Sequence, residues 1–183
     1  MAASRRESEY VEYITAKIPW LRRTAYLLCQ DVHRVDDLVQ STITKLYINW
    51  PRVAKVEHPD AYARMVLVNQ YLSEQRTNWW RRVTTRSEPV DAEDPGTAGP
   101  STDLDLRLDL SAALAGVPPR QRATLVLRFY CDLSVEETAR VMNCSVGNVK
   151  SQTSRGLATL RTALTADLAD LADREESDHG IAR

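Results

Sequence analysis

Apolar positions recur every three or four residues along most of this chain, the period of an amphipathic helix, and nowhere alternate as a half-buried strand would. The clearest stretch is Leu133 to Leu164, LSVEETARVMNCSVGNVKSQTSRGLATLRTAL, which reads as two helices joined by a tight turn. Ser134 and Glu137 are spaced as a capping box, so a helix opens there. It carries Val135, Ala139 and Met142 inward and stops near Asn143-Cys144. Ser145 supplies a second N-cap. With about 100° of rotation per residue, Val146, Val149, Thr153, Leu157, Leu160 and Leu164 then share an arc of roughly 80°. Gly147, Asn148, Lys150, Ser151, Ser154 and Arg155 occupy much of the remainder, and no acid lies between Val146 and Leu164.

A small, polar, basic helical face suits the major groove of DNA. Short side chains allow close approach, Lys and Arg meet phosphates or guanine edges, and Asn or Gln can pair with adenine. Two capped helices with that face on the second have the profile of a helix-turn-helix with a recognition helix. The bland reading of the same residues is a helical hairpin with a solvated outer face. The coincidence of caps, turn and acid-free face favours DNA binding.

Upstream, Ser8 to Gln30 places Tyr10, Val11, Ile14, Ile18, Leu21, Ala25 and Leu28 on a helical repeat, with Pro19 expected to kink or divide it. Asp31 to Trp50 is the next helix, with Val35, Leu38, Val39, Ile43, Leu46 and Tyr47 inward. Asp36 and Asp37 suit its first turn, Lys45 its last, and Pro51 ends it. His58-Pro59-Asp60 opens a third, packing through Tyr62, Met65, Val66, Val68, Leu72 and Trp79. It ends in Arg76, Asn78, Trp79, Trp80, Arg81, Arg82 and Arg86, where aromatics between arginines can stack on unpaired bases while the cations follow the backbone. A Trp pair capping the core among solvated arginines is the alternative. Thr84–Thr102, rich in Pro, Gly and acids, reads as a flexible linker. Leu104, Leu108, Ala112 and Leu114 then mark a helix ending at Gly116. Pro118-Pro119 starts another, carrying Leu125, Val126, Leu127, Phe129 and Tyr130. After Leu164 the rhythm weakens into an acidic tail expected to fray.

A formal net charge of −1 over 183 residues argues at first against a nucleic-acid binder. Its distribution reverses that: Met1–Arg86 carries +5, Ser87–Asp105 −6, Leu106–Thr162 +4 and Ala163–Arg183 −4. Local charge, not the total, governs binding to phosphate. Cys29, Cys131 and Cys144 are widely spaced within or beside apolar runs, as buried thiols in a reducing compartment would be. No Cys or His spacing suggests a metal site. No phosphate loop or Ser/His/Asp arrangement suggests an enzyme, and no cofactor is implied. The N-terminus lacks a signal-peptide core and no run reaches membrane-spanning length, so a cytoplasmic protein without membrane insertion is expected.

The expected fold is therefore all-α, with two small helical domains: 1–86, and 106–165 containing the helix-turn-helix. An acidic linker at 87–105 joins them, and a tail covers 166–183. This arrangement resembles an extracytoplasmic-function (group IV) sigma factor of bacterial RNA polymerase, particularly the SigE-type actinobacterial members, which carry only the σ2 and σ4 domains. The resemblance covers nearly the whole chain and is most specific over LAGVPPRQRATLVLRFYCDLSVEETARVMNCSVGNVKSQTSRGLATLR.

What the resemblance implies can be written residue by residue. VDDLVQSTITKLY looks like the polymerase-binding helix, with Asp37, Leu38, Gln40 and Lys45 facing the β′ clamp helices. HPDAYARMVLVNQYLSEQR looks like the segment that opens the −10 element. Asn69 falls beside the flipped-out base and Tyr62 at an aromatic melting position, and Arg76, Trp79, Trp80, Arg81 and Arg82 complete that site. Asn148, Lys150, Ser151, Gln152, Ser154 and Arg155 fall at or beside positions that meet the −35 element. Gln152 stands where many members have Arg, Ser154 where some have an aromatic or His, and Asn148 replaces a common Thr. These departures leave the −35 sequence preference open. The implied partners are core RNA polymerase (β′ clamp helices and β flap), promoter DNA and an anti-sigma factor. Two other readings stay open on sequence: a stand-alone helix-turn-helix regulator whose N-terminal domain dimerises or senses a ligand, and an adaptor that no longer starts transcription.

Overall fold

The computed structural model describes residues 2–84 and 112–179, with side chains over 5–77 and 112–165. Helices α1 (Ala2–Cys29), α2 (Val32–Val53) and α3 (Pro59–Thr84) form the N-terminal module. A helical turn at 112–115 opens the C-terminal module. It is followed by α4 (Pro119–Leu125), which runs into a π turn (Val126–Tyr130), then α5 (Val135–Met142) and α6 (Val146–His179). There is no strand among the described residues. The expected linker at 87–105 lies outside them, as do Leu104 and Leu108.

Local chemistry fixes the helix ends. The Asp31 carboxylate caps α2 by accepting from the amides of His33 (2.9 Å) and Arg34 (3.3 Å), so the N-terminal anchor is Asp31 and not Asp36 or Asp37. Pro19 does not divide α1, and Pro51 sits inside α2, which ends at Val53. In the C-terminal module Ser134 and Glu137 close their box: Ser134 Oγ accepts from the Glu137 amide at 3.1 Å and Glu137 Oε2 from the Ser134 amide at 2.8 Å. Asn143 ends α5 in the left-handed region at φ 48°, a conformation Asn adopts more readily than most residues. Ser145 Oγ then accepts from the Asn148 amide at 3.1 Å and starts α6. That helix runs on to His179, well past the point where the apolar rhythm fades.

Rings hold α1 to α2. Tyr10 and Tyr13 lie 5.3 and 4.9 Å from Trp50 between centroids, Tyr10 is 5.1 Å from Tyr47, and the Tyr10 hydroxyl donates to the Ile43 carbonyl at 2.7 Å. Helix α3 joins them through Asp60, which accepts from Tyr13 Oη (3.1 Å) and Lys17 Nζ (2.5 Å).

The two modules share one core. Ala123, Val126, Leu127, Leu133 and Met142 belong to the same buried cluster as Leu21, Leu28, Leu38, Leu67 and Tyr71. Helix α3 is packed on by α1, α2 and the second module, and it buries Ala63, Leu67, Val68 and Tyr71, of which amphipathic periodicity selects only Val68, alongside Tyr62, Met65, Val66 and Leu72. Val11, Tyr47, Phe129, Tyr130 and Leu157, expected inside, are exposed. The π turn, closed by the Cys131 amide on the Val126 carbonyl at 2.9 Å, widens the helix and changes the angular register that Phe129 and Tyr130 follow. Ala112 is exposed and its neighbour Ala113 takes the inward place.

Candidate nucleic-acid interface

Helix α6 presents its polar face because its opposite side is drawn tightly onto α4. Val149 is fully buried, and Gly156 is buried so closely that a Cβ there would meet Leu125 Cγ and Cδ1 at 3.1 Å and Gln121 Cβ at 3.3 Å. Thr153 turns its hydroxyl back to the Val149 carbonyl at 2.8 Å. The inward line thus runs through Val149, Thr153, Gly156 and Leu160, while Leu157 swings out. Asn148, Lys150, Ser154 and Arg155 are exposed on the outer side, and Ser151 and Gln152 are half-buried at its edges. All six −35 candidates therefore lie on the first turns of one helix. The helix's N-terminus, held by Ser145, adds backbone N–H groups and a positive dipole end to that region.

Amphipathic counting overlooks Gly156. A glycine inside a helix costs about 1 kcal/mol relative to alanine, so its presence in an otherwise good helix former is itself the sign of a close approach.

On α3, Asn69 and Arg76 are exposed and Tyr62 is half-buried against the core. The side chains of Asn78, Trp79, Trp80, Arg81 and Arg82 lie outside the described residues, and so does Arg86. On α2, Asp37, Gln40 and Lys45 are exposed on the surface, with Lys45 donating to Gln70 of α3 and Asp36 accepting from Arg22 of α1. Leu38 differs from them. It has no exposed surface, packs in the shared core, and so fixes the position of α2 instead of facing a partner.

Burial pushes the Cys29 thiol pKa up to about 11 and raises that of Cys131, the latter opposed by the neighbouring Arg64 guanidinium. Among the described residues there is no cluster of His, Cys, Asp and Glu able to hold a metal, and no helix long and apolar enough to cross a membrane.

Comparison with known proteins agrees with this layout. Residues 14–81 match the family model for Sigma-70 region 2, and residues 107–160 match that for Sigma-70, region 4. The RNA polymerase sigma-E factor of Streptomyces avermitilis is 35% identical over 85% of this chain and 85% of its own length. That of Streptomyces coelicolor is 36% identical over 85% and 86%. The ECF RNA polymerase sigma factor SigE of Mycolicibacterium smegmatis is 31% identical over 78% of this chain and 56% of its own. Among solved structures, the sigma factor RpoE of Bartonella quintana, in complex with the anti-sigma factor NepR, superposes with a TM-score of 0.67 at 25% identity, covering 87% of this chain and 98% of that one. The chain belongs to the extracytoplasmic-function sigma factors of the sigma-70 family, which direct transcription initiation.

Proposed function

We propose that this is a SigE-type, group IV sigma factor of the actinobacterial kind, working in the cytoplasm, and that its contacts divide among three surfaces. Asp37, Gln40 and Lys45 on α2 meet the β′ clamp helices of core polymerase. Tyr62, Asn69 and Arg76 on α3, continued by Trp79, Trp80, Arg81 and Arg82, hold the unpaired −10 strand by stacking and backbone charge. Asn148, Lys150, Ser151, Gln152, Ser154 and Arg155 on α6 read the duplex −35 element, while the C-terminal module also meets the β flap. The chain catalyses no reaction itself. Each domain makes few phosphate contacts, so each binds DNA weakly alone. Mounting both on one polymerase makes the second contact effectively intramolecular. An anti-sigma factor is a further expected partner, supported by the presence of one in the complex of the Bartonella relative.

The observation that carries this reading is the outer face of α6 between Val146 and Leu164, free of acids and held outward by the Gly156 approach, in a chain matching both sigma regions. Run-off transcription with sigma-free core polymerase tests it. Arg155→Ala should cut −35-dependent output about tenfold and leave core binding unchanged. Asp37→Arg should weaken core binding while a −35 duplex is still bound. Equal core affinity for Asp37→Arg and wild type would remove the clamp assignment.

A further inference from the structure

We propose that Lys45 and Gln70 form a brace that sets the rotation of α3 about its own axis, and with it the aim of Tyr62, Asn69 and Arg76. That these three meet the −10 strand rests on the sigma reading; the brace itself does not. Tyr62, Asn69 and Arg76 follow one another at intervals of seven residues. At about 100° per residue they fall within roughly 40° of one another, a single line along α3. The buried Ala63, Leu67 and Tyr71 lie on the far side. Gln70 and Glu74, both half-buried, stand about 100° and 140° round from Asn69, where the wet and dry sides meet.

A helix whose functional groups form one line is aimed by its rotation. With an outer radius of about 5–6 Å, a roll of roughly 20° carries all three side chains about 2 Å sideways together. Apolar burial against α1 and α2 keeps α3 close, but that force has no direction. Polar ties have one.

Lys45 supplies such a tie. Measured from Asp37 on α2, Gln40 stands about 60° to one side and Lys45 about 80° to the other, only about 20° from the fully buried Leu38. Lys45 therefore leans toward α3, and its ammonium donates to Gln70 Oε1. Gln70 Nε2 in turn donates to Glu74 Oε1 at 3.1 Å. An ammonium only donates and a carboxylate only accepts, so the Gln70 amide has a single orientation that satisfies both neighbours. The ammonium carries three donors, which leaves two for core polymerase. A second tie lies ten residues earlier, about 15 Å along the helix, where Asp60 accepts from Tyr13 Oη at 3.1 Å and Lys17 Nζ at 2.5 Å. Helix α1 thus grips α3 at its first turn and α2 grips it beside Asn69, with Tyr62 between the two points. Held on two sides, the helix cannot roll freely.

The test is capture of forked DNA, unpaired over the −10 strand of a start mapped with the wild-type chain, at saturating core polymerase. Gln70→Leu should weaken capture about fivefold, the worth of one hydrogen bond. Its core affinity should equal wild type, and its melting temperature should stay within about 2 °C, because an exposed tie adds little to stability. Lys45→Met should lose as much capture, and the two changes together no more than either alone. Exchanging the pair, Lys45→Gln with Gln70→Lys, reverses donor and acceptor and should recover capture. Gln70→Lys alone offers Lys45 an ammonium in place of an acceptor and should not. Full capture by Gln70→Leu, losses that multiply in the double variant, or an exchange no better than Gln70→Lys alone overturns the brace. If Gln70→Leu fails to fold, the exchange measured against Gln70→Lys decides. A wild-type chain that yields no start with core polymerase ends the sigma reading and the brace's role at −10 with it, an outcome distinct from capture that is intact yet indifferent to Gln70.

Discussion

Helices α1 and α2 run 28 and 22 residues and meet through the rings of Tyr10, Tyr13, Tyr47 and Trp50, whereas α5 has eight residues, buries Thr138, Ala139 and Met142, and is fixed at both ends by local caps. An isolated helix of eight residues is unstable in water, and here the Ser134–Glu137 box and the left-handed Asn143 decide where it begins and stops. The long helices need no such precision, because apolar area spread over six turns tolerates an end that slips. Both modules bury apolar side chains in the shared core, and the short helices of the second are set in addition by caps and one close approach. The difference follows use: a scaffold to grip a large partner can be broad, while a helix that reads bases must be aimed.

The contrast between the modules can be disturbed most severely in the N-terminal core. Leu38→Ala removes a fully buried side chain and should cost about 3 kcal/mol. That corresponds to a melting temperature lower by roughly 6–12 °C for a chain of this size. Core binding should fall only in step with folding, since Leu38 itself touches no partner. Next comes the approach of α6 to α4. Gly156→Leu overfills the contact with Leu125 and Gln121 and should cost about 2 kcal/mol by denaturant titration. It should also reduce −35-dependent transcription more than stability alone accounts for, because α6 is pushed out of its setting. Smaller still, Ser134→Ala loses one cap bond and about 1 kcal/mol, read in the same titration.

The smallest effect is a pH dependence. Hydrogen bonds from Ser134 hold the Glu137 carboxyl below its ordinary value. A depressed folded pKa gives stability that is fully present above the unfolded value, about 4.3, and lost as pH falls through the folded one. Melting curves between pH 6 and pH 3 should therefore decline slightly more steeply for wild type than for Glu137→Gln, and parallel curves would deny Glu137 that role.

Much of this is legible in the chain. The capping box at Ser134, the second cap at Ser145 and the outer residues of α6 follow from local rules that tertiary packing leaves alone. Periodicity fails where a second surface intervenes. Tyr71 and Leu67 are buried where α3 meets α1, α2 and the C-terminal module, contacts between segments distant in sequence that no helical wheel contains. Phe129 and Tyr130 face solvent beyond a π turn, which shifts the register an ideal wheel assumes. Likeness to a motif assigns Leu38 to a partner, yet the same leucine serves the core. Arg122 gives no signal, because a charged residue in an amphipathic helix reads as solvent-facing until a carbonyl from another element is found beside it.

The most direct test is to map 5′ ends of transcripts made on genomic templates by sigma-free core polymerase supplied with this chain. A sigma factor with these two DNA-facing helices predicts discrete starts that share one upstream and one downstream motif at fixed spacing, all absent without the chain. No discrete starts, or protection of palindromic sites by the chain in the absence of polymerase, would contradict it.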